Sequence, residues 1–228
     1  MRSLSRRSQL DKRVSGNDPE STTAPGHVTP RLSAKILGRL PDSVVLPKFA
    51  PADLHTGILH LGCGSFHRAH QALATQQAMN EGHDLRWGIA SVAMHNRSVV
   101  DALRSQNNLY STLLRDTDEV HAEVVGAITE TVHAPSDPMG VPERIADSRI
   151  KLVTLTVTAG GYCIFPTSGC LDPDSEQVRH DLKYPTGPTG TIGMITHGLD
   201  LVRRRGGCWP MSARWRVTAR SPNPSPIR

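Results

Sequence analysis

The sequence predicts an α/β fold with a doubly wound, mostly parallel sheet, and three observations carry that prediction. A short apolar segment, Ile58-Leu59-His60-Leu61, runs straight into Gly62-Cys63-Gly64 and then into a helix-compatible stretch. Strand-like and helix-like segments alternate along most of the 228 residues, the order of a parallel sheet whose faces are covered by helices. A strongly β-branched run, Ile150–Thr158, gives way to Gly160-Gly161, at the strand end where ligands sit in open α/β sheets.

The elements follow in order. Residues 57–61 are the first strand. Phe66 to Glu81 is the helix behind it, broken at Gly82-His83-Asp84. Arg86–Met94 is apolar enough to be a strand buried on both faces. A short helix at Ser98–Ser105 leads to an extended segment, Leu109–Arg115. Asp116–Glu119 turns the chain, and Val120–Ile128 returns as one further strand. A short helix follows Pro138 as far as Asp147, and Ile150–Thr158 is the next strand. Glu176–Leu182 is a helical segment. Thr189–Arg205 is a clearer one, with Ile192, Ile195, Leu199 and Val202 at helical spacing and arginines at its C-terminal end.

Composition narrows the function classes. The four cysteines form no C-x-x-C pair, which speaks for free thiols in a reducing cytoplasm. His60, His67 and His70 have no carboxylate or cysteine at ligand spacing, and no metal site is expected. The net charge is +5, but seven arginines and no acid follow Asp200, so residues 1–200 hold 19 basic against 21 acidic residues. The basic excess is in the tail, no nucleic-acid motif accompanies it, and no nucleic-acid partner is expected. No run reaches the 18 or so apolar residues of a membrane span. The first thirty residues carry Arg2, Arg6, Arg7, Lys12 and Arg13 without an apolar stretch, against a secretory signal. Residues 1–30 are expected to be a disordered extension and residues 31–212 the folded domain.

A strand, Gly-x-Gly and a helix start form the arrangement that presents a helix's free N–H groups to a phosphate. The third glycine of the dinucleotide fingerprint is absent, and His67 stands in its place. Phe66-His67-Arg68-Ala69-His70-Gln71 after this loop resembles the signature of the mannitol dehydrogenase family of polyol and hexuronate dehydrogenases. Further stretches resemble that family in order: Arg39-Leu40-Pro41, Val45-Leu46-Pro47, Trp87-Gly88-Ile89, Asp101-Ala102-Leu103, Leu109-Tyr110, Ala134–Pro138, Leu152–Thr158, Gly161-Tyr162-Cys163, Leu171-Asp172 and Asp181-Leu182 with Pro185. They extend over residues 31–212.

The resemblance implies a Rossmann-like coenzyme domain that binds NAD or NADP. The activity implied is hydride transfer with a small sugar alcohol or hexuronate: mannitol/fructose or mannonate/fructuronate. Gly62 and Gly64 would admit the pyrophosphate, and Ser65, Phe66 and His67 would offer amides at the helix start. Arg68 would add charge there or serve simply as a helix residue. The end of the second strand, Ala93-Met94-His95-Asn96-Arg97, lacks the acid that usually holds the adenosine ribose. Asn96 could bond a ribose hydroxyl and Arg97 could meet a 2′-phosphate, so both coenzymes stay open. Thr156 and Thr158 would lie near the nicotinamide, or be ordinary β-branched packing.

Departures from the family pattern raise a further expectation. Ala159 and Gly160 stand where the family has Glu and Lys, and after Met211-Ser212 the residues Ala213-Arg214-Trp215-Arg216 replace its next motif. A frameshift or similar gene error near 206–213 is expected, with 213–228 an aberrant basic tail. The family's C-terminal helical domain, which holds its catalytic lysine, would then be missing and no catalytic residue present. Two alternatives remain: an inactive dinucleotide-binding fragment, and an S-adenosylmethionine-dependent methyltransferase. Leu61–Ser65 also resembles the methyltransferase first motif, but His60 occupies its acidic position and Phe66 its last glycine. The sequence leaves oligomeric state open.

Overall fold

The computed structural model describes residues 31–115 and 119–206. The N-terminal extension, the basic tail and most of the Asp116–Glu119 turn lie outside the described residues. Strands β1 (Val44–Val45) and β2 (Thr56–Leu61) are followed by a π-helical turn at His67–Gln71 and helix α1 (Ala72–Gly82). Next come β3 (Gly88–Ala93), α2 (Arg97–Arg104), β4 (Tyr110–Arg115), β5 (Val120–Val125) and β6 (Ile128–His133). Helix α3 (Gly140–Ile145), β7 (Leu152–Leu155), α4 (Glu176–Lys183) and α5 (Thr191–Arg204) complete the order.

Four parallel strands form the central sheet, in the order β6-β3-β2-β7. From β2 the chain steps outward through β3 to β6, then crosses back to place β7 on the other side of β2. That reversal is the topological switch point of a doubly wound sheet. Strand β2 is buried on both faces. Leu59 and Leu61 pack with Val92, Val132, Val153 and Ile145 on one side, while Ile58 packs with Ile89, Ala72 and Met79 on the other. This double burial explains the unbroken apolar run in the sequence.

Four expected elements change on folding. Val120–Ile128 is not one strand. It ends as β5 at Val125, antiparallel to β4 in a separate three-stranded sheet; after Gly126-Ala127 the chain enters β6 of the central sheet, whose residues 129–133 lie beyond the expected strand. The buried Gln76 side chain stabilises the break, accepting from Gly126 N–H at 2.7 Å and donating to Val124 O at 2.8 Å. The second strand begins at Gly88 because Leu85–Trp87 is a 3-10 turn, whose Arg86 N–H donates to the Asp84 carboxylate at 3.2 Å. Strand β7 covers only Leu152–Leu155 of the expected Ile150–Thr158. In α5 the buried residues are Thr191, Met194 and Gly198, with Ile195 packed against the core. Ile192, Leu199 and Val202 are half-buried.

Candidate coenzyme cleft

A cleft of about 500 Å³ opens at the carboxyl ends of β2, β3 and β7, at the switch point. The turn after β2 lines it with Gly62, Cys63, Gly64, Ser65 and Arg68. The exit of β3 adds Ala93 to Asn96, and the exit of β7 adds Thr156, Val157 and Thr158, with Gly160 and Gly161 beyond. Helices α4 and α5 contribute Gln177 and Thr191.

The two glycines do different work. Gly62 stands at φ +119°, and a Cβ there would lie 2.6 Å from Thr156 O, so both backbone conformation and space exclude a side chain. Gly64 has nothing nearer than Gly62 O at 4.0 Å. Its missing Cβ leaves open surface over which a ligand can approach the backbone.

The amides of the loop itself are committed. Gly62 N–H and Cys63 N–H both donate to Val92 O, at 2.8 and 2.9 Å, and Gly64 N–H donates to Gly62 O at 2.7 Å. Helical structure begins at Ser65, and its first turn closes when Arg68 N–H reaches Gly64 O at 3.1 Å. Ser65, Phe66 and His67 therefore precede that first closing bond, and their amides are the donors a helix start offers to an anion. The side chains of Phe66 and His67 point elsewhere: Phe66 is exposed and tilted against His70, while His67 is fully buried. Neither lines the cleft.

Beneath the loop, the His60 and His67 rings stack at 3.7 Å, 7° from parallel. His60 Nδ1 lies 2.7 Å from Thr154 Oγ1, and its Nε2 lies 2.8 Å from Thr156 Oγ1 and 3.2 Å from Gly62 O. Burial, with His67 alongside, lowers the His60 pKa to about 3. Burial also lowers that of His67 to about 4, a hydrogen bond to Gln71 Oε1 opposing and nearby Arg68 assisting. Both rings are neutral at pH 7. A polar residue inside the apolar run Ile58–Leu61 is the sequence signal for this network; the sequence reading weighs His60 as a metal ligand and as a departure from the methyltransferase motif, not as a buried polar partner. Among the described residues no group of three or more His, Cys, Asp or Glu could hold a metal ion.

The remaining expected residues divide. Asn96 lines the cleft while its side chain caps α2, accepting from Ser98 N–H at 2.9 Å. Arg97 faces a neighbouring hollow, where it donates to Ser136 Oγ at 3.2 Å and lies 3.5 Å from Asp101. Thr156 donates to Gly62 O at 3.0 Å, and Thr158 is exposed at the cleft wall. The cleft lining carries Arg68, whose guanidinium donates to Cys63 O at 2.8 Å, and no carboxylate. A cleft that carries the helix-start residue Ser65 and one arginine, without acids, suits a phosphate group.

Comparison with known proteins agrees with this geometry. The family model for the mannitol dehydrogenase Rossmann domain matches residues 56–212. The oxidoreductase YeiQ of Escherichia coli K12 is 36% identical over 170 residues, covering 73% of this chain and 34% of that protein. The D-mannonate oxidoreductase of the same organism is 36% identical over 167 residues, covering 72% and 34%. The structure of Pseudomonas fluorescens mannitol 2-dehydrogenase in a ternary complex with NAD and D-mannitol superposes with a TM-score of 0.73 at 36% identity. It covers 77% of this chain and 36% of that one. The chain thus spans about a third of the length of the curated relatives it matches.

Proposed function

The chain belongs to the mannitol dehydrogenase family through that family's Rossmann domain, and from this premise we propose that it forms the coenzyme-binding part of an NAD(P)-dependent oxidoreductase. The reaction is hydride transfer between the nicotinamide and a polyol/ketose or aldonate/keto-uronate pair, with a small sugar alcohol or hexuronate as substrate. The observation that carries this reading is the acid-free cleft at the switch point, with the amides of Ser65, Phe66 and His67 ahead of the first closed helical turn.

The cleft fits a dinucleotide. Gly62 would turn the chain, Gly64 would leave room for the pyrophosphate, and the helix start at Ser65 with Arg68 would balance its charge. Asn96 would meet the adenosine ribose; Thr156 and Thr158 would border the nicotinamide. When bound, the coenzyme supplies the hydride donor or acceptor. The chain's own groups hold its anion, exclude side-chain bulk at Gly64 and orient the β7 exit. We place the protein in the cytoplasm, where Cys63 and Cys163, both buried and free, stay reduced. Among the described residues no helix is long and apolar enough to cross a membrane. Residues 31–212 are proposed as the folded unit.

Titration with NADH and NADPH, followed by fluorescence and melting temperature, tests the proposal. Saturable binding with a raised melting temperature is expected, and a chain that binds neither overturns it. Binding of S-adenosylmethionine in place of both would favour the methyltransferase alternative. Oxidation of NADH in the presence of fructose or fructuronate separates an enzyme from a binding module, because general acid catalysis alone contributes about 10²–10⁴-fold. Arg97→Ala probes coenzyme choice: if Arg97 meets a 2′-phosphate, NADPH affinity falls about tenfold or more while NADH affinity holds. Equal effects on both remove that role.

A further inference from the structure

The polar groups buried under the glycine loop can be given directions. Gly62 O lies 3.2 Å from His60 Nε2. A bare lone pair on Nε2 would face the carbonyl's own lone pairs, so this contact requires the proton on Nε2. The same N–H then donates to Thr156 Oγ1 at 2.8 Å, and the Thr156 hydroxyl is free to donate to Gly62 O at 3.0 Å. His60 Nδ1 is left as an acceptor, taking the Thr154 hydroxyl proton at 2.7 Å. Thr154 Oγ1 in turn accepts from Gln71 Nε2 at 2.9 Å, and Gln71 Oε1 accepts from His67 Nδ1 at 3.4 Å. These bonds run in one direction, from His67 Nδ1 to the Gly62 carbonyl. The assignment makes His67 Nε2 an acceptor, and it is buried with no partner among the described residues.

Gly62 is where this chain does its work. Its carbonyl accepts from Gly64 N–H, Thr156 O–H and His60 N–H, and that convergence holds the peptide inward at a conformation only glycine adopts freely. The amides that follow it are aimed by the same peptide. Resting on the coenzyme reading of the cleft, we propose that His60 is a positioning residue: its Nε2–H ties the Gly62 carbonyl to the Thr156 hydroxyl, and so sets the phosphate-facing helix start against the β7 exit.

Two measurements on the full chain test this. Long-range ¹H–¹⁵N NMR without ligand reads the imidazole tautomers. His60 is expected as Nε2–H and His67 as Nδ1–H, and a His60 carrying its proton on Nδ1 overturns the link. The second uses His60→Gln, whose amide nitrogen reaches the Nε2 position, and His60→Asn, which reaches only the Nδ1 position. NADH affinity is expected to fall about tenfold in His60→Asn, the scale of one hydrogen bond, and to stay within about threefold in His60→Gln. If both lose affinity in proportion to their melting temperatures, His60 is merely structural and the proposal fails. A wild-type chain that binds neither NADH nor NADPH overturns the coenzyme reading, while the ligand-free tautomers still decide the His60–Gly62 link.

Discussion

Gly62 and Gly64 are two residues apart and identical in chemistry, yet their surroundings predict opposite consequences for the same substitution. Gly62→Ala places a methyl 2.6 Å from Thr156 O at φ +119°, so it should lower the melting temperature and abolish dinucleotide binding together. Gly64→Ala meets nothing nearer than 4.0 Å. Its melting temperature should hold while coenzyme affinity drops about tenfold or more, because the new methyl stands where the ligand approaches. Calorimetric melts beside NADH titrations check both, and a Gly64→Ala chain with unchanged affinity would contradict the assignment. The histidines add a pH dependence. His60 and His67 titrate near 3 and 4 when folded and near 6.5 when unfolded. Between those values the unfolded chain binds more protons. Their contribution is therefore complete above about pH 6.5 and is lost as pH falls, toward 4 for His67 and toward 3 for His60, at up to about 1.4 kcal/mol per pH unit for each. Melting temperatures from pH 7.5 to 5 should fall, and a flat profile would remove the buried neutral pair.

At the scale of elements, the break between β5 and β6 depends on one side chain from α1. Gln76 is fully buried and serves Gly126 N–H and Val124 O at once. Gln76→Leu would leave both backbone groups buried without partners and should cost about 2–4 kcal/mol, read as a shift in urea midpoint. The sequence reading runs one strand from Val120 to Ile128, across Gly126 and into the first residue of β6. Only a residue about fifty positions away makes the bend stable. Helix α5 shows a similar limit. Its period was legible, but close packing of Gly198, where a Cβ would lie 2.6 Å from Ile145 Cβ, turns the helix so that Met194 and Gly198 face the core. Gly198→Val should therefore destabilise by about 1–3 kcal/mol through overpacking.

Across the whole molecule, the small sheet leaves an edge. Among the described residues, strand β4 pairs only with β5, and Leu113, Leu114 and Val120 are largely exposed. An exposed apolar edge strand is a template for pairing with other chains. Replacing Leu114 with Lys should leave the melting temperature nearly unchanged and reduce concentration-dependent light scattering. Scattering that does not respond would place self-association elsewhere. The central sheet has no comparable exposure on β2, since β3 and β7 flank it and both faces are packed. The cleft is thereby built on a strand held along both edges and on both faces.

The sequence by itself determined the parallel α/β class, the strands corresponding to β2, β3, β4 and β7, the main helices, and the loop at Gly62–Ser65, because these depend on local periodicity and on glycine's backbone freedom; strand β1 and most of β6 it did not show. It also placed Gly62, Gly64, Ser65, Asn96, Thr156 and Thr158 in advance, and all six line one cleft. Tertiary structure alone decided that the Phe66 and His67 side chains turn away from that cleft, that Arg97 sits in the next hollow, and that His60 belongs to a directed network. These outcomes depend on partners such as Thr154 and Thr156, more than ninety residues from His60 in the chain. Hydrogen-bond direction and burial are properties of groups brought together in space, and no spacing along a chain encodes them.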